Sequence, residues 1–150
     1  KMNPRAVIVR ANSPVSATDP AKICGRRVVC IEDGPTCTHG DMAYGAAYVA
    51  AQRLGAKEII DPRPFAVGSI AATYRKYPTT GKVVPAMGYG DAQVRDLEAT
   101  VNAVPGCECV IVGTPIDLGR LVKFRADHVR VTYELAEIGK PNLTELLARF

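Results

Sequence analysis

The chain is short of most features that would assign a function quickly. No apolar run approaches the roughly 20 residues needed to cross a bilayer, so a membrane partner is not expected and a cytoplasmic location is. The net charge of +4 is a mild excess without basic clusters, and the three Phe and six Tyr are not interleaved with Arg. That pattern excludes a nucleic-acid surface and allows an anionic small molecule. Only two histidines occur, and the five cysteines are odd in number with spacings that match no zinc knuckle. Buried, reduced thiols are the plain reading of Cys30, Cys107 and Cys109, and no metal site is expected. A thiol or metal site built from Cys24, Cys37 and His39 stays open as a minor alternative. The phosphate-binding pattern G-x-x-x-x-G-K-[ST] is missing: "TGKV" and "IGKP" lack the earlier glycine and the hydroxyl residue.

What is present is an ordinary globular composition, 47% apolar and 23% charged over 150 residues, enough for one domain with a real core. The chain enters an expected strand at Ala6 to Arg10, as though the front of a longer polypeptide preceded it, and a turn-rich connector with Pro14 and Pro20 follows. Residues 1–22 then read as the end of an upstream domain and its connector, and 23–150 as an α/β domain. Strand and helix signals alternate from Arg26 on. Arg27 to Ile31 is a continuous apolar run of the kind a strand buried on both faces shows. Asp41 to Leu54 reads as a small-residue helix, Glu58 to Asp61 as a strand, Phe65 to Tyr77 as a helix, and Lys82 to Met87 as a strand whose Pro85 suits an edge. Asp91 to Val104 carries Val94, Leu97, Val101 and Val104 on one helical face, with Asp91 as expected N-cap. Glu108 to Val112, a short helix at Leu118 to Phe124, a strand at His128 to Leu135 and an Asn142–Glu145 capping box opening a helix to Phe150 complete the order. Strands separated by helices of about a dozen residues imply a doubly wound, mainly parallel sheet of about five strands, Rossmann-like and three-layered.

In such a sheet the strand-to-helix loops share one edge, at the carboxyl ends of the strands, and ligands bind there. Four loops on that edge are chemically unusual: "EDGPTCTHGD" (32–41), "DPRPFAVGS" (61–69), "MGYGD" (87–91) and "GTPIDLGR" (113–120). The opposite loops, "LGAKE", "YPTTGK" and "VPGCE", are ordinary turns. Gly40, Gly88 and Gly90 let backbone N–H groups approach an anion, helix N-termini at Asp41, Phe65 and Asp91 add partial positive charge, and Thr36, Thr38 and Thr114 offer hydroxyls. Arg63, between two prolines, can fork onto a phosphate or carboxylate, and His39 can bind an anion or exchange a proton. Asp33 and Asp117 can reach a magnesium ion through water, or accept from a ribose or amine, and Tyr89 can stack or donate. Each has a structural alternative, since tight strand-to-helix turns need glycine and caps whether or not anything binds.

Taken in order, Glu32 to Gly40, Asp61 to Ile70, Pro85 to Gly90 and Val112 to Leu118 resemble the carboxyl-terminal part of the cyclic 2,3-diphosphoglycerate synthetase-like proteins, often described as predicted GTPases. The resemblance runs from about Asn12 to Leu147. It implies an NTP-dependent, ligase-type phosphoryl-transfer enzyme whose upstream P-loop domain, in the same polypeptide, carries the phosphate cradle and Mg2+ with ATP or GTP. This chain would hold a phosphorylated substrate or the nucleotide against that domain, would not be catalytic alone, and could dimerise. The alternative is a non-catalytic module that binds a nucleotide or phosphometabolite.

Overall fold

The structure is a computed structural model and describes residues 3–40 and 42–148. Asp41, expected to open a helix, and Phe150, expected to close the last one, lie outside the described residues. The chain falls into two compact units, Ser16–Thr132 and a smaller one in which Lys1–Val15 meets Tyr133–Phe150.

The larger unit is α/β, built on a mixed sheet of six strands. Its centre is β3 (Arg27–Asp33), with β6 (Cys109–Gly113) parallel on one side and β7 (Asp127–Tyr133) parallel beyond β6. Along the other side of β3, β4 (Glu58–Ile59) pairs with its first residues and β5 (Val84–Ala86) with its last, both parallel. The sixth strand, β2 (Val15–Ala17), lies beyond β7. Thr18 N–H donates to Arg130 O and Ser16 faces Thr132, so this pair runs antiparallel. The connector expected around residues 11–22 thus contributes a strand, because its backbone completes an otherwise open edge.

Alternation along the two central strands sets the layers. Val29, Ile31, Val110 and Val112 join Ile70 of α3 (Gly68–Lys76) and Leu97 and Val101 of α4 (Asp91–Asn102) in one apolar cluster. The intervening residues of β3 and β6 face α2 (Ala46–Arg53), whose buried Ala47, Ala50 and Ala51 permit close approach. Helices therefore cover both faces, consistent with a Rossmann-like fold. Pro85 lies, as expected, on an edge: among the described residues β5 pairs only with β3.

Several elements depart from expectation. The strand expected at Ala6 to Arg10 is irregular, and pairing falls on β1 (Ala11–Asn12) instead. The loop expected after β3 contains a short helix, α1 (Gly34–Thr38), since Pro35 suits a first helical turn. The helix expected from Asp41 starts only at Ala46, and that expected from Phe65 starts at Gly68 after a 3-10 turn at Arg63–Phe65. Asp91 is the first residue of α4 and Gly90 its N-cap. Leu118–Arg120 makes a single 3-10 turn where a longer helix was expected.

In the smaller unit β1 pairs antiparallel with β8 (Ala136–Glu137). The helix α5 (Leu143–Leu147) is capped by Asn142, whose side chain accepts from Glu145 N–H at 2.7 Å. The reciprocal half of the expected capping box is absent: the Glu145 carboxylate bonds Lys140.

Candidate functional site

The carboxyl ends of β3, β5 and β6 stand side by side, because Asp33 is in register with Ala86 and Glu32 with Gly113. The segments leaving them therefore meet. Asp33 ends β3 at the N-cap position of α1, but its side chain does not cap that helix. Tyr89, from the loop after β5, feels both Thr114, from the loop after β6, and the charge of Asp33. Burial pushes its phenol up, the Thr114 hydroxyl pulls it down, and the charge of Asp33 adds to the rise. Asp33, Tyr89 and Thr114 thus come together although 81 residues of chain separate the first from the last.

Around them the backbone is held by local bonds. Thr114 donates to Ile116 O at 3.0 Å, and the Gln93 side chain accepts from Gly90 N–H at 3.3 Å. A Cβ at Gly88 would meet the end of the Gln93 side chain at 2.5 Å, so a larger residue there would have to move that amide. Asp117 pairs with Arg120 at 3.2 Å. On α1, Thr38 donates to Gly34 O at 3.0 Å and also lies 3.0 Å from His39 Nδ1. A carbonyl only accepts, so the single hydroxyl proton goes to Gly34 and His39 Nδ1–H donates to Thr38. The neutral ring then presents Nε2 as an acceptor. Thr36 is half-buried on α1, and Gly40 is exposed just after it.

Arg63 pairs with a neighbour in its own loop. It closes on Asp61 through Nε at 2.9 and 3.1 Å and Nη2 at 2.6 Å, and the bond holds the Asp61 carboxyl below its ordinary range. No hydrogen bond among the described residues links Arg63 to His39, Tyr89 or Thr114.

The helix N-termini behave differently from expectation. Glu32, 1% exposed on β3, points at the start of α2. Its carboxylate accepts from Gly45 N–H at 3.0 Å, Ala47 N–H at 3.2 Å and Tyr48 N–H at 2.8 Å. Burial pushes its carboxyl up to about 7, against the downward pull of these donors. The start of α3 is filled in the same manner: Asp96 of α4 accepts from Ser69 N–H at 2.8 Å and from its hydroxyl at 2.7 Å. Two of the three expected anion cradles are occupied by the protein's own carboxylates. Of these three, α4 has a first turn that no carboxylate from another element caps among the described residues; it carries its own Asp91, and Gln93 bonds its N-cap N–H. Glu32 adjoins Asp33 in the sequence, but its partners lie 13 to 16 residues on, and no local motif announces them.

The filled start of α3 gives a direct expectation. Gly68 has φ +51°, and a Cβ there would meet the Asp96 carboxyl at 2.3 Å. Gly68→Ala should destabilise by about 1–3 kcal/mol, read from the urea midpoint. An unchanged midpoint would show that Asp96 does not hold this turn.

The thiol alternative does not survive the geometry. Cys37 is fully buried on α1, and burial together with the charges of Glu32 and Asp33 pushes its thiol up to about 11. A nucleophilic or metal-binding thiol needs the opposite shift. Among the described residues no group of three or more His, Cys, Asp or Glu could hold a metal. Nor is any helix among them long and apolar enough to cross a membrane.

A cavity of about 360 Å³ opens on the outer side of α4, lined by Arg95, Glu98, Asn102 and Arg125 among others. Its polar groups hold the segment before β7: Glu98 accepts from Lys123 N–H and Asn102 from Arg125 N–H.

No family model matches the chain, and no solved structure matches it. Among curated proteins it is 54% identical over 147 residues to the arginine synthetase ArcE of Thermococcus kodakarensis. The match covers 98% of this chain and 33% of that protein, so the chain spans about a third of this relative's length. The relative is named as a synthetase, which fits the ligase expectation in general and gives no support to cyclic diphosphoglycerate synthesis in particular.

Proposed function

We propose that this chain is the ligand-holding part of an NTP-dependent ligase related to arginine synthetase. One observation carries the reading: the carboxyl ends of β3, β5 and β6 stand side by side, so the segments bearing Asp33, Tyr89 and Thr114 leave from one edge. Ligands of open α/β sheets bind at such an edge. The relative's name brings L-arginine into consideration, and the groups suit its two ends. Asp33 can accept from a guanidinium, and the first turn of α4 can face a carboxylate or phosphate. His39, Thr36, Thr38 and Gly40 would border the ligand on α1, with Gly88, Gly90 and Asp117 on the adjoining loops. Arg63, held by Asp61, stands outside this set.

In this reading residues 1–22 connect to an upstream P-loop domain of the same polypeptide, and Mg2+ with ATP or GTP binds there. The nucleotide supplies the activated phosphoryl group. The described residues fit no metal site of their own. Asp33 enters none of the ion pairs among them, and it could reach a nucleotide-bound ion through water. The contribution of this chain is to bind and orient, which carries much of the barrier reduction in phosphoryl transfer. A cytoplasmic setting and a homodimer remain part of the proposal.

Calorimetric titration of the chain with L-arginine, ATP, GTP and 2,3-diphosphoglycerate tests it. Asp33→Asn should weaken L-arginine binding by about 1.5–3 kcal/mol, the worth of a charge-assisted bond, with an unchanged unfolding midpoint. Equal affinity in the variant would remove Asp33 from the site. The second reading is a non-catalytic nucleotide or phosphometabolite module at the same edge. It predicts tight nucleotide binding with no turnover once the P-loop part is restored.

A further inference from the structure

Arg130 does not stand out in the sequence, yet its surroundings need an explanation. It lies on β7 in register with Val112, two residues before Thr114 on the neighbouring strand. Its Nη2 donates to Pro115 O at 2.7 Å, which places the guanidinium against the loop that carries Thr114. Its Nε is buried and has no hydrogen-bond partner. Buried donors are almost always satisfied, and a half-buried guanidinium without a counter-charge is costly. The ion pairs among the described residues join Lys22 to Asp127, Arg27 to Glu58, Arg63 to Asp61, Arg120 to Asp117 and Lys140 to Glu145. None includes Arg130. The arginine expected to meet an anion is therefore paired with Asp61, while one not expected to do so enters no ion pair among the described residues.

We infer that Arg130 is the oxyanion-binding side chain of this edge, taking a carboxylate or phosphate of the ligand next to Thr114. The inference rests on the reading of the edge as the ligand site and adds the group that recognises the ligand's negative end. The planar guanidinium is well suited to this, since one nitrogen is anchored on Pro115 O and fixes the orientation of the rest. Bringing an anion there supplies the missing counter-charge. It also explains how an edge whose Asp33 is acidic can hold a molecule that carries an oxyanion.

The two sources of the oxyanion separate in titrations of the whole chain with paired probes. L-arginine is compared with agmatine, which lacks the carboxylate, and ATP with adenosine, which lacks the phosphates. The wild-type protein should prefer the charged member of at least one pair by roughly tenfold or more, as a charge-assisted bond requires. The pair that shows the preference identifies the source. Arg130→Gln should abolish it and leave agmatine or adenosine affinity unchanged within about twofold, whereas a merely structural role would weaken both members alike. Arg130→Lys, which keeps the charge and loses the fork, should restore part of the preference and serves as the readout if the Gln variant does not fold. A preference undiminished in both variants overturns the inference, as does a wild-type protein that binds agmatine or adenosine as tightly as its charged counterpart. In either outcome Asp33-dependent binding leaves the ligase reading standing. A wild-type protein that binds none of the probes overturns both.

Discussion

Glu32→Ala should destabilise the protein by about 3–5 kcal/mol at pH 6, the loss expected when a large buried side chain is truncated and the buried donors it satisfied are left without a partner. Glu32 is the largest polar side chain fully buried in the interior, and its carboxylate satisfies backbone donors of Gly45, Ala47 and Tyr48 at the start of α2. Alanine leaves those donors dry and opens a void between β3, β6 and α2. The void does not collapse easily, because the same carboxylate packs on two glycines: a Cβ at Gly45 would meet it at 2.6 Å and one at Gly113 at 2.7 Å. Glu32→Gln keeps the shape and one acceptor and should cost less, about 1–2 kcal/mol. Urea denaturation followed by far-UV circular dichroism measures both. A loss below about 1 kcal/mol in the alanine variant would mean that α2 draws its capping from solvent or ligand instead.

The same residue should make stability fall as pH rises. Glu32 titrates near 4.5 when unfolded and near 7 when folded, because burial disfavours the charged form. Between those values the folded state binds a proton that the unfolded state has lost, so stability declines across the window. It is fully present below pH 4.5, and about 3 kcal/mol is lost by pH 7, at 1.36 kcal/mol per pH unit. Asp61, Asp96 and Glu58 are shifted downward and lose their contributions as pH falls, at the acidic side of this window. Subtracting the Glu32→Gln curve from the wild-type curve between pH 5 and 7 isolates the effect. A flat difference would show that the three N–H donors, and not burial, set the state of this carboxyl.

These two expectations come from a residue that the linear pattern could not single out. Glu32 follows an apolar run and precedes Asp33, which reads as a strand leaving the core with two acids at its exit. Only one of them leaves. Alternation sends Glu32 inward, where it meets the first turn of α2. Arg63 shows the converse. Its setting between prolines suggests a side chain fixed for a ligand, and it is fixed, by Asp61 two residues earlier. Arg130 reads as the polar member of an alternating strand; its nearness to Pro115 depends on β7 lying next to β6.

Periodicity and punctuation by themselves determined that the chain is α/β, that β3 is buried on both faces, and that α4 presents Leu97 and Val101 inward. Those features follow from local burial patterns repeated along each element, which short-range sequence records directly. Tertiary structure alone decided which charges are consumed internally and which stay open. That choice depends on strand order and on contacts between residues tens of positions apart. Asp96 closes α3, Glu32 closes α2, and Arg130 meets Pro115 O and no carboxylate among the described residues because the strands lie in the order β7, β6, β3, an arrangement that no short stretch of the chain encodes.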